Sequence, residues 1–186
     1  MESIMSFGKW ILLLAAICVV PPAFAAESDT ASFERIERSA YRDMLRDAAS
    51  AYGAGRYDES FAMFRRTACA GDKQSQSALG RMYLLGQGVQ RDDLTGYAWL
   101  KLAAEFIYPK YQSVVRALED AMTPEQRTIA EGRVAVLKER YSLSATGMSC
   151  SQSASKGGHI IDQIVCTPRY EGRRLLLRRC DDVKLD

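Results

Sequence analysis

The sequence contains one histidine, His159, and no Cys-x-x-Cys pair. The second absence removes the usual spacing of a Cys/His zinc site. The first leaves a Cys–His nucleophile pair without support, so His159 reads as a structural or surface residue. No HExxH or GxSxG motif occurs, and Asp and Glu are scattered over helix faces rather than paired for acid–base work. Charge is nearly balanced, at +2 over 186 residues, which implies no nucleic-acid partner. Long apolar runs are also missing. The longest, Trp10–Val20, has 11 residues, short of the roughly 20 that span a membrane. No cofactor site is expected.

That short run has a different meaning. Lys9 precedes it, and small residues stand at Ala23 and Ala25. This is the layout of a secretory signal peptide over 1–25, with cleavage before Ala26. Ile17 is too bulky for a lipid-modified Cys18. The mature chain is expected to be exported, periplasmic or secreted, without a stable membrane span. Four cysteines then remain: Cys69, Cys150, Cys166 and Cys180. An even number in an exported chain suggests up to two disulfides. Cys150–Cys166 is the preferred pair, 16 positions apart. Cys180 then meets Cys69, or Cys69 stays a buried free thiol among the alanines of "TACAG".

Residues 33 to 141 read almost wholly as helix. "FERIERSAYRDMLRDAASAYGAG" carries apolar residues at helical spacing and stops at Gly53 and Gly55. Further helices follow in "RYDESFAMFRRTACAG", "QSQSALGRMYLLG" and "RDDLTGYAWLKLAAEF". Two of them echo each other: Phe61, Ala62, Met63, Phe64 and Ala68 recur 36 positions later as Tyr97, Ala98, Trp99, Leu100 and Ala104. Repetition at this period marks stacked helix pairs, because one pair cannot bury its apolar face alone. The stretch "ALGRMYLLGQGVQRDD" supplies the turn. Gly80 allows close helix approach, Gly86 closes a helix, Gly88 shapes the reversal, and Asp92 or Asp93 caps the next helix. A phosphate-cradling loop would need a third glycine, a lysine and a preceding strand, all absent. Farther on, Thr123, Pro124 and Gln126 form a capping-box start, with Ala130, Val134, Leu137 and Tyr141 along one stripe.

The stretch from Ser75 to Phe106 resembles a Sel1-like repeat, a relative of the tetratricopeptide family. Leu79, Gly80, Met82, Tyr83, Gly86, Gly88, Val89 and Asp92 fit its first half, and Trp99, Ala103 and Ala104 its second. Gly96 departs, standing where alanine is usual. "YDESFAMFRRTACAGD" resembles part of a more degenerate copy, and the "MTPEQ" helix resembles the family's terminal cap. The implied fold is mostly α: a solenoid of about two Sel1-like units plus a capping helix pair over 26–141. Residues 142–186 form a cysteine-containing tail.

The tail begins as a Ser/Gly-rich linker or irregular loop. "HIIDQIVCT" and "RRLLLRRC" then read as a small hairpin around "PRYEG". Arg169, Arg173, Arg174, Arg178 and Arg179 alternate with Leu175–Leu177 as in an edge strand that resists aggregation, though they could also dock an acidic partner or an anionic envelope polymer. The resemblance implies a non-catalytic envelope scaffold that binds another envelope protein, with Gln76, Arg81 and Tyr83 as the contact surface. Tyr83, at helical spacing from Leu79, also reads as core. The alternative is a hydrolase or β-lactam binder, as proposed for some cysteine-rich Sel1-like proteins. Those carry cysteine pairs within each repeat, and this sequence has none.

Overall fold

The computed structural model describes residues 32–152 and 164–180. The expected signal segment and His159 lie outside the described residues. The chain forms three helix pairs in succession: α1 (Arg38–Gly53) with α2 (Tyr57–Cys69), α3 (Lys73–Leu85) with α4 (Asp93–Ala103), and α5 (Pro109–Ala121) with α6 (Pro124–Tyr141). A short α7 (Leu143–Thr146) follows. The strands are β1 (Phe33–Ile36), β2 (Ser149–Gln152), β3 (Ile164–Thr167), β4 (Tyr170–Glu171) and β5 (Arg174–Arg178). Among the described residues no helix is long and apolar enough to cross a membrane.

Local chemistry sets the helix ends. Gly86 takes the left-handed conformation, and its N–H donates to the carbonyl of Met82 to close α3. Asp92 is the cap of α4, accepting from the N–H groups of Leu94 and Thr95. The capping box of α6 forms as Thr123 and Gln126 exchange bonds. Gly88 has a positive φ, and a Cβ there would meet the carbonyl oxygen of Tyr57 at 2.3 Å. The turn after α3 thus presses directly on the start of α2.

Gly80 and Gly96 face each other where α3 crosses α4. A Cβ on Gly80 would meet Leu100 Cγ at 2.7 Å and the Gly96 carbonyl oxygen at 2.8 Å. A Cβ on Gly96 would meet Leu84 Cδ2 at 2.8 Å and the Gly80 carbonyl oxygen at 2.9 Å. The departure at Gly96 therefore has a steric cause: this crossing is tighter than alanine permits. Around it, Leu79, Ala98, Trp99, Leu102, Leu137 and Tyr141 share one core. Trp99 stacks on Tyr141 with ring centroids 5.8 Å apart, joining α4 to α6. Ala103 is fully buried and Ala104 nearly so. The 36-residue echo falls on α2 and α4, the second helices of successive pairs.

Three expectations need correction. Phe33–Ile36 is a strand, not the first turn of a helix. It pairs antiparallel with β5, from Phe33 opposite Arg178 to Ile36 opposite Leu175. The apolar spacing was compatible with helix, but a partner strand far along the chain decides the conformation. The predicted hairpin is also redistributed. β3 pairs with β2, while β5 turns back only on the two-residue β4. Nor are residues 142–152, the described part of the expected linker or irregular loop, without regular structure. Ser142 caps α7, and Thr146 and Met148 are buried.

The tail shares a core with the helices: Ile164, Cys166, Leu175 and Leu177 pack with Tyr41, Ala70 and Tyr108. Cys150 stands opposite Cys166 in the β2–β3 ladder, and the two are bonded. Cys69, at the end of α2, is bonded to Cys180 across 111 positions. In the chain-entropy account, closing loops of these sizes contributes about 3 and about 4.7 kcal/mol.

Gly80→Ala and Gly96→Ala should each destabilise the protein by about 1–3 kcal/mol, the range for an overpacked site. Gly132 lies inside α6 with open space around its Cβ position. Gly132→Ala should therefore stabilise by about 0.4–1 kcal/mol. Urea denaturation of the three variants checks this. A neutral Gly96→Ala would refute the tight crossing.

Candidate functional site

The structure separates the three residues expected to form a contact surface. Gln76 is fully buried, not exposed. Its Nε2 donates to the carbonyls of Ala68 at 3.0 Å and Tyr141 at 2.9 Å, and its Oε1 accepts from Lys73 Nζ at 2.9 Å. Tyr83 is half-buried, its ring edge-on to Phe61 with centroids 5.5 Å apart. Burial pushes its phenol pKa up. Arg81 alone is exposed. Two positions along a helix are about 200° apart, so Arg81 and Tyr83 face opposite ways.

Gln76 belongs to a polar hub that sequence reasoning missed. Lys73 has no solvent exposure, and its Nζ reaches the Leu102 carbonyl at 3.2 Å and Glu105 Oε2 at 2.9 Å. Burial lowers the Lys73 pKa, with Glu105 and then Asp72 opposing. Ala68, Leu102 and Tyr141 lie at the C-terminal ends of α2, α4 and α6. Three negative helix ends therefore converge on one lysine and one amide in the first turn of α3. The visible signal was "GDKQSQS", a polar run with a good capping residue at its head.

Asp72 connects this hub to a cleft of about 500 Å³ between α1 and the tail. Its carboxylate caps α3, with Oδ1 accepting from Ser75 N at 2.7 Å and Oδ2 from the Tyr41 hydroxyl at 3.3 Å. Burial pushes the Asp72 pKa up, against the donors of Ser75 and Tyr41. Burial, then the Asp72 charge, also pushes up the Tyr41 phenol. Gln74 closes the cleft by donating to the Ile164 carbonyl at 2.6 Å. Arg38 and Arg42 stand on the α1 side, with Val165, Thr167 and Tyr170 facing them from the tail. Arg38 donates to the Tyr170 hydroxyl, and its guanidinium lies 5.0 Å from that ring centroid.

This geometry suits holding rather than reaction. The cleft's one carboxylate is committed to a helix cap, and its one sulfur, Cys166, is in a disulfide. Exposed Val165 and Tyr170 beside two arginines offer mixed apolar and cationic contact. Among the described residues no group of three or more His, Cys, Asp and Glu is placed to hold a metal.

No family model and no curated protein matches the chain. Among solved structures it is similar to a protective antigen of uropathogenic Escherichia coli strains that displays an SLR (Sel1-like repeat) fold. The identity is 26%, covering 55% of this chain and 23% of that one, with a TM-score of 0.45. The chain thus spans less than a quarter of that structure's length.

Two variants separate hub from surface. Gln76→Ala leaves two helix-end carbonyls and Lys73 short of a partner, which should cost about 1–3 kcal/mol in urea denaturation. Arg81→Glu should stay within about 0.5 kcal/mol. A silent Gln76→Ala would refute the hub. Asp72→Asn keeps a capping side chain but removes the buried charge. A carboxyl raised above its ordinary 3.8 gives stability that is full below that value and lost as pH rises through the folded one. The variant should therefore gain on the wild type as pH rises above 3.8. Denaturation midpoints across the acidic range check the sign, and the opposite trend would refute it.

Proposed function

We propose that the protein is an exported, non-catalytic Sel1-like scaffold of the cell envelope that holds another envelope protein. The observation that carries this reading is the pair of disulfides that close the helix stack on its own tail. All four cysteines left after signal cleavage are bonded, as suits an oxidising compartment. The spent carboxylate and sulfur of the cleft support a binding role over a hydrolytic one. Neither disulfide clamps the two helices of one pair, which is the arrangement behind the β-lactam alternative.

The contact surface proposed from sequence is revised. Gln76 and Tyr83 leave it, Arg81 is exposed on α3 but does not line the cleft, and Arg42, Val165 and Tyr170 at the cleft mouth take their place. This surface draws on both α1 and the tail, so partner specificity would depend on both.

Expression of the full chain, followed by fractionation, tests the export reading. The expected product begins at Ala26 by intact mass. Alkylation without reduction should label none of Cys69, Cys150, Cys166 and Cys180. Free thiols, or an apolar N-terminal segment retained in the pellet after a high-salt wash, would overturn it. Photo-crosslinking amino acids at Arg42 and Val165 should trap one defined envelope protein in living cells, and the same label at Ile129 should not. Trapping from Ile129 alone would move the partner to α6 and overturn the cleft assignment.

A further inference from the structure

The tail arginines do not guard a sheet edge. The strand order is β1–β5–β4, so β5 is the central strand, and the edge-strand account of its alternating charge fails. The register shows which face the arginines share. Arg178 stands opposite Phe33, Leu176 opposite Arg35, and Arg174 opposite Glu171. Alternation puts Arg174, Leu176 and Arg178 on one face, away from buried Leu175 and Leu177. Arg169 joins that face, because its carbonyl accepts from Leu176 N at 2.8 Å. The guanidiniums of Arg169 and Arg178 lie 5.8 and 5.5 Å from the Phe33 ring centroid. Arg173 on the hairpin turn is exposed, whereas Arg179, whose N–H continues the ladder by donating to the Ser32 carbonyl at 2.8 Å, falls on the opposite side with Leu175 and Leu177. Among the described residues two glutamates offset this charge: Glu171 pairs with Arg35, and Glu37 with Arg174 at 3.1 Å. A cationic excess, carried by Arg169, Arg173 and Arg178, therefore lies on one small sheet face.

We propose that this face docks the anionic headgroups of a phospholipid bilayer. The proposal rests on the envelope reading above, which places the protein beside membranes. Its argument is shape and chemistry together. The charges are spread along one sheet face, on β5, on the hairpin turn and on the residue before β4, instead of converging on a point as they would for a single anion. Phe33 and Leu176, both partly buried, sit among the guanidiniums. A layer of phosphates above an apolar interior matches both features. Guanidinium forks suit phosphate oxygens, and basic clusters are drawn to anionic leaflets. The contacts to Phe33 hold two of those guanidiniums in place before the surface is met.

The test uses the purified, oxidised mature chain and vesicles of either pure phosphatidylcholine or phosphatidylcholine with roughly a third phosphatidylglycerol. Co-sedimentation is expected with the anionic vesicles only. It should weaken as the Debye length falls from about 30 Å at about 0.01 M salt to about 8 Å at about 0.15 M. Replacing Arg169 and Arg173 together by alanine should lower affinity about twenty-five-fold, at about fivefold for each arginine. Arg173→Glu, at an exposed turn, should weaken binding in the same direction without touching the sheet. A control that removes Arg116 and Lys138, both exposed on α5 and α6, should stay within threefold of wild type, taken as about the scatter of a surface effect. Equal losses in control and tail variants would overturn the face assignment. Indifference of the wild type to anionic vesicles, with arginine-dependent binding to poly-glutamate instead, would overturn the bilayer in favour of an acidic protein. Vesicle binding is read on purified protein, so failure of the export test leaves this result independent, and the reverse holds as well.

Discussion

Three helix ends meet at the first turn of α3, and the rest of the stack depends on that meeting. The last carbonyls of a helix carry partial negative charge and lack internal partners. Bringing the ends of α2, α4 and α6 together would be unfavourable without donors between them. Lys73 and Gln76 supply the donors: Lys73 reaches Leu102, and Gln76 reaches Ala68 and Tyr141. Burying an ammonium is costly, which is why its pKa falls, and the cost is offset by several fixed acceptors, not by one carboxylate alone. Glu105 then passes the connection onward, accepting from Lys73 and from Leu143 N at 3.1 Å at the start of α7. The hub thus sets where α6 stops and where the tail begins. It also lies one residue from Cys69, so the end of α2 is fixed at the point where Cys180 is bonded.

What was legible in the sequence was grammar that acts over a few residues. Asp92, Thr123 with Gln126, Gly86 and Gly88 do their work within a turn or two, and their chemistry can be read in place. The 36-residue echo was legible because like positions in stacked helices bury like volumes. Even the departure at Gly96 was visible as a departure, although its steric cause needed Gly80 and Leu84 in space. Illegible features depended on distant partners. Phe33–Ile36 is a strand only because β5 lies beside it, and its two apolar residues, three positions apart, read locally as helix. Gln76 looked like a surface residue because polarity normally means exposure, and nothing local sets Lys73 apart from it. Their burial is set by three helices whose ends no local pattern reveals.

The tail changes meaning once its core is seen. As a sequence it looked like an appendage that either recognises a partner or decorates a scaffold. In space it completes the first helix pair: Tyr41 packs with Ile164, Cys166, Leu175 and Leu177. The cleft exists because α1 forms one wall and β3–β4 the other. Whether the helical face or the tail recognises the partner is therefore not a choice between separable parts. Removing the tail would strip Tyr41 and Tyr108 of their cover and expose apolar surface, so loss of binding on truncation would report collapse as readily as recognition.

One sheet serves two directions. The buried face of β5, Leu175 and Leu177, closes the core, and Tyr170 beside it reaches the cleft mouth. The opposite face carries Arg174, Leu176 and Arg178, with Arg169 and Phe33 alongside. Alternation at period two makes this division automatic: a slip of one residue would bury arginines and expose leucines. The Cys69–Cys180 disulfide opposes such a slip by tying the end of α2 to the chain just after β5. A partner held in the cleft and a charged surface met by the outer face would thus be set at a fixed orientation to each other, through a sheet whose central strand is covalently anchored to the helices.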